Sequence, residues 1–62
     1  MTFTDQEKAE CAAREVKMRR RAYPRWVASG QMPKAQADRE IAMMEEIASD
    51  YRAKTDLFGG NP

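Results

Sequence analysis

RRRAYPRWVASGQMP, residues 19–33, decides how this 62-residue chain folds. Pro24 stands in its middle and carries no amide proton. Inside a helix it forfeits the bond to the Arg20 carbonyl, at about 3 kcal/mol unless the helix bends. Either a first helix kinks at Pro24 and runs on, or it breaks near Ala22 and leaves a short separate turn from Pro24 to Ser29. Phase favours the kink, because Val16, Tyr23 and Val27 share one face only if the rotation of about 100° per residue continues. Gly30 then follows the last apolar residue, where a left-handed glycine closes a helix. Pro33 fits the first turn of a second helix, where a missing amide proton costs nothing.

Upstream, Thr4 followed by Asp5, Gln6 and Glu7 has the spacing of a capping box, so helix 1 is predicted over about 5–29. Its apolar face gathers Ala9, Ala12, Ala13, Val16, Tyr23, Trp26 and Val27, with Arg19 and Arg20 along the flanks. After a turn at 30–32, helix 2 is predicted over about 33–54. There Ala37, Ile41, Met44, Ala48 and Tyr51 share one face, and Met43 and Ile47 widen it. The pattern fades after Lys54. TDLFGGNP, residues 55–62, ends in glycines, asparagine and proline and is expected to be a flexible tail, with Leu57 and Phe58 able to dock on the helices.

The fold class is therefore all-α: a two-helix antiparallel hairpin over residues 1–54 with a kink or break near Pro24. One core in so short a chain supplies about 3 to 5 kcal/mol, and the usual staples are missing. Cys11 is the only cysteine and there is no histidine, so neither an internal disulfide nor a zinc site is expected. Self-association remains. Val16, Tyr23, Val27, Ile41, Met44, Ile47, Ala48 and Tyr51 are expected to form the core and dimer interface of a homodimeric four-helix bundle.

Charged residues make up 34% of the chain, yet eleven basic and ten acidic side chains leave a formal charge of only +1. The molecule as a whole is neither a polycation nor a nucleic-acid mimic, and any electrostatic function must come from local arrangement. The sequence opens without a basic, then apolar, leader, and no stretch approaches the roughly 18 apolar residues of a membrane span. A cytoplasmic protein with no membrane partner is expected.

Catalysis has little to work with. No histidine is present, Cys11 has no base beside it, and Glu45, Glu46 and Asp50 read as an exposed acidic face rather than a cation site. No catalytic residue, metal ligand or cofactor is expected. On helix 1, by contrast, Arg14, Lys17, Arg21 and Arg25 fall within about 80° of one another, opposite the apolar face. With Arg19, Arg20 and Trp26 they are the candidate partner-binding residues. Glu10 lies four before Arg14 and Glu15 four before Arg19, the orientation of surface pairing, so an exposed face for protein is favoured over a track for phosphates. Tyr23 and Trp26 share the phase of Val16 and Val27 and are read as packing residues rather than base-stacking platforms.

EVKMRRRAYPRWVASGQM followed by ADREIAMMEEIASDYR, together spanning residues 15–52, resembles a group of small, mostly uncharacterised proteins encoded in phages and prophage regions of proteobacteria. In that group an Arg-rich YPRWV segment, a glycine turn and an ADREI helix recur in this order, often with serine or threonine where this chain has Pro33. The resemblance implies a phage accessory protein that acts by binding host or phage machinery. It leads to a non-enzymatic protein-interaction module, in one version an inhibitor of a host defence complex such as an anti-CRISPR. The alternatives are a nucleic-acid-binding accessory factor using the basic stripe, and a structural packing unit of a phage particle.

Overall fold

The computed structural model describes residues 2–58, with side chains to residue 55. Two helices account for nearly all of it: α1, Asp5–Ala28, and α2, Lys34–Phe58. They pack side by side as an antiparallel hairpin of 45 × 20 × 17 Å.

The start of α1 is set by the capping box. Thr4 Oγ1 accepts from the Glu7 amide at 3.0 Å, and Glu7 Oε1 accepts from the Thr4 amide at 2.9 Å. Two of the amides that a helix start leaves unpaired are thereby satisfied. At the other end the chain leaves through a Schellman turn. The Gln31 amide bonds the Trp26 carbonyl at 2.8 Å and the Gly30 amide bonds that of Val27 at 3.1 Å. Gly30 has φ +83°, which a side chain would strain.

Between these ends α1 is continuous, with Pro24 inside it, so the break near Ala22 is excluded. Helical phase is kept, and Val16 and Tyr23 are buried on the same side. The Pro24 ring faces solvent, where the lost bond to Arg20 can be replaced by water.

Two boundaries differ from the sequence reading. Pro33 stands just before α2 rather than in its first turn, its carbonyl accepting from the Ala37 amide at 3.1 Å. At the far end α2 runs to Phe58, so residues 55–58 are helix rather than tail. Thr55 and Asp56 are poor helix formers, but the ladder is already propagating and Thr55 Oγ1 donates back to the Tyr51 carbonyl at 3.1 Å. Residues 59–62 and the side chains of Leu57 and Phe58 lie outside the described residues.

The core is thinner than the expected set. Ala12, Val16, Tyr23 and Ala37 are buried, and among the described residues no large side chain is fully enclosed. Val27, Ile41, Met44, Ala48 and Tyr51 are only half-buried, while Ile47 is 43% exposed. The cause is geometric: two helices share one line of contact, and residues more than about 50° from it reach solvent.

Candidate functional site

Arginines that look alike in sequence part company in the structure. Arg19 and Arg20 lie where α1 borders α2 and are committed to the hairpin. Arg19 Nε pairs with Glu15 Oε1 at 3.1 Å, and its Nη1 donates to the Glu40 carbonyl of α2 at 3.3 Å. Arg20 forms an ion pair with Glu45 of α2. Both are expected partner-binding residues, and in the hairpin their bonds also tie α1 to α2.

Around Arg19 the ties become a small polar latch. The Tyr23 hydroxyl donates to Glu40 Oε1 at 3.1 Å, and Gln36 Nε2 donates to Glu40 Oε2 at 3.1 Å. The Arg19 guanidinium sits 5.8 Å from the Tyr23 ring centroid, and Tyr23 meets Trp26 at 5.3 Å with the rings tilted by 31°. These contacts hold the Glu40 carboxyl below its ordinary value, first through Gln36 and then through Tyr23. Burial, reinforced by the bond to Glu40, pushes the Tyr23 phenol up. Further along the same edge the Tyr51 ring is flanked by Lys8 at 5.5 Å and Lys54 at 4.9 Å.

Arg14, Lys17, Arg21 and Arg25 occupy the side of α1 turned away from α2, and all four are exposed. No ion pair engages them among the described residues: Glu10 accepts from Gln6 at 3.4 Å instead of pairing with Arg14, and Glu15 is taken by Arg19. Met18, 64% exposed, borders the stripe. At a rise of about 1.5 Å per residue the four cations span roughly 16 Å along the helix.

The two broad sides of the hairpin differ in character. One carries an open groove of about 590 Å³, floored by Ala9, Ala13, Val16, Ala48 and Ser49 and rimmed by Lys17, Arg20, Glu45 and Arg52. The other carries the latch together with the large apolar side chains that reach solvent, Trp26 at 42%, Met43 at 46% and Ile47 at 43% exposed. Trp26, expected at a partner surface, rests one flank of its ring on Tyr23 and leaves the rest open to solvent.

Glu40 escaped the sequence reading, and Glu45 was read there only as part of an exposed acidic face, because their partners Arg19, Tyr23 and Arg20 lie across the hairpin and only the register between the helices reveals them; Gln36 joins through Glu40 of its own helix. No cluster of three or more His, Cys, Asp or Glu side chains is placed to hold a metal ion among the described residues. Cys11 is exposed. No described helix is long and apolar enough to cross a membrane. No protein-family model matches the chain, and no curated protein and no solved structure is significantly similar to it.

Proposed function

We propose that the protein is a non-enzymatic interaction module that presents the outer face of α1 to an acidic surface on a larger protein. The observation that carries this reading is the division among the arginines. Two are consumed by the hairpin, whereas Arg14, Lys17, Arg21 and Arg25 stand exposed, without an intramolecular ion pair and pointing one way. Planar guanidinium groups on a rigid helix fork onto carboxylates with little ordering cost. Exposed Met18 adds an adaptable apolar contact at the edge of the stripe.

The module works as a homodimer in the host-cell cytoplasm. The resemblance to phage-borne proteins makes a stoichiometric inhibitor of a host defence complex, such as an anti-CRISPR, the form of this activity we favour. Binding of nucleic acid by the same stripe is the second reading, supported by the same unpaired cations.

The test is affinity capture from host lysate with the wild-type protein and with the Arg21→Glu/Arg25→Glu double variant. Both positions are exposed, so the variant should keep its helical signal and thermal midpoint while losing the captured protein. A variant that captures the same protein at the same yield removes the stripe from the function. Capture of nucleic acid alone, lost on raising salt, replaces the leading reading by the second.

A further inference from the structure

The apolar side chains that reach solvent are not scattered. By helical phase Trp26 of α1 and Met43, Ile47 and Tyr51 of α2 lie on the broad side opposite the alanine-floored groove. Met18, 64% exposed, leans toward that side from the rim, whereas Phe3 stands against the outer face of α1 beside Glu7, Cys11 and Arg14. Trp26, Met43 and Ile47 thus gather on one side, and a two-helix layer covered there becomes a four-helix bundle.

We propose that a second copy of this chain covers this side, with α2 antiparallel to α2 of the other copy and a two-fold axis midway between Met43 and Ile47. This rests on the homodimer in the reading above and specifies its geometry. The occupant is indicated by charge. On α2, Arg39 lies four residues before Met43, and Asp50 three residues after Ile47, on the same flank. In an antiparallel pair like flanks face each other, as the outer positions of antiparallel coiled coils do. The two-fold that sets Met43 against Ile47 of the other copy therefore sets Arg39 beside Asp50 of the other copy, twice. The same operation places α1 antiparallel to its counterpart.

Size is consistent with this occupant. A stable interface buries about 1,200 to 2,000 Å² in total. Each copy would contribute roughly 600 to 1,000 Å², or about an eighth to a fifth of its 5001 Å² of accessible surface. The arrangement has one unfavourable element: Glu46, on the flank between Arg39 and Asp50, approaches Glu46 of the other copy near the axis.

Sedimentation of the full chain across micromolar concentrations tests this. The wild type should be a dimer, and Arg39→Asp or Asp50→Arg alone should each weaken the dimer by about tenfold or more, because two pairs become repulsive. The doubly swapped Arg39→Asp/Asp50→Arg chain, in which the pairs are restored with reversed sign, should return to within a few-fold of the wild type. Glu46→Gln should tighten the dimer. These positions are exposed and outside the hairpin's own contacts, so circular dichroism should show each variant still helical.

A wild-type chain that sediments as a folded monomer overturns both the dimer and its geometry. A dimer indifferent to both single swaps, or one that the double swap leaves as weak as the singles, overturns the geometry and leaves self-association standing. Neither outcome touches the partner-binding test, which reads Arg21 and Arg25 on the opposite side of α1 from its contact with α2.

Discussion

Pro24→Ala should stabilise the protein, and the structure says by roughly how much. α1 passes through Pro24 without a break, so this proline sits in a helix interior, where it is about 3 kcal/mol less favourable than alanine. Alanine restores the amide that can bond the Arg20 carbonyl and removes the ring's clash with the preceding turn. Against this, the unfolded chain gains freedom when proline is removed, worth about 0.4 to 1 kcal/mol in the opposite direction. The ring is exposed, so little packing is lost. The balance is a gain of about 2 kcal/mol, which in a domain of this size raises the thermal midpoint by roughly 8 to 16 °C. Melts followed at 222 nm, at one fixed chain concentration so that association does not differ, measure the shift. Amide exchange gives a second reading, since the new amide at position 24 should be protected. An unchanged or lowered midpoint would refute the reasoning: the proline would then be required to seat Tyr23 and Trp26 against α2.

Three further perturbations test the packing and the latch. Ala37 is 3% exposed between the helices, so the larger side chain of Ala37→Leu should push them apart and destabilise by about 1 to 3 kcal/mol in the same melts. Ile41→Ala and Met44→Ala remove half-buried side chains and should each cost less than the 2 to 5 kcal/mol typical of a buried site, about 1 to 2 kcal/mol. For pH, the signs follow from the shifts. The Glu40 carboxyl is lowered, so its contribution is complete above the ordinary carboxylate range and is lost as pH falls through its lowered value. The Tyr23 phenol is raised, so its contribution stands below the ordinary phenol value and is lost as pH rises through its raised one. Glu40→Gln should therefore flatten the acid side of the stability profile and Tyr23→Phe the alkaline side, both read as thermal midpoint against pH.

Local features were legible in the sequence, and features that depend on register were not. The capping box at Thr4 and Glu7 and the turn at Gly30 each involve residues within about five of one another, so spacing alone specifies them. The continuity of α1 was legible because the apolar phase on either side of Pro24 agrees. The end of α2 was not: Thr55 and Asp56 weaken the pattern, but a helix already formed and packed propagates through weak formers. Apolar periodicity marks which side of a helix faces inward and not how many neighbours stand there. Ile47 and Met43 belong to the correct half of α2, yet α1 alone is too narrow to cover them. Arg19, Arg20 and Arg21 differ by about 100° of phase each, and only the position of Glu40 and Glu45 across the hairpin shows that the first two are ties and the third is free.

A dimer of the proposed geometry would bear on which partner the stripe serves. Arg14, Arg21 and Arg25 lie on the side of α1 turned away from α2, with Lys17 at the groove rim, so in a bundle where α2 lies against α2 and α1 against α1, both stripes face the same way. Eight cations then form one surface. If that surface tracks phosphates, each neutralised charge contributes about −0.9 to the slope of log affinity against log salt, giving a slope near −7 for the dimer and near −3.5 for a monomer. All four positions of a stripe should then contribute alike. If it grips carboxylates on a folded protein, the contact geometry selects among the arginines, and one or two should dominate the loss on substitution to alanine. We expect the second pattern, with Arg21→Ala or Arg25→Ala costing at least tenfold in affinity for the captured partner and Lys17→Ala costing little. Ile47→Asp, which disrupts the apolar side while leaving the stripe intact, separates the cases again. It should lower avidity for a partner bound at two sites without altering the ranking of the arginines, whereas on nucleic acid it should halve the salt slope. Equal losses at all four positions, with a slope that falls from about −7 to about −3.5 in that variant, would assign the stripe to nucleic acid.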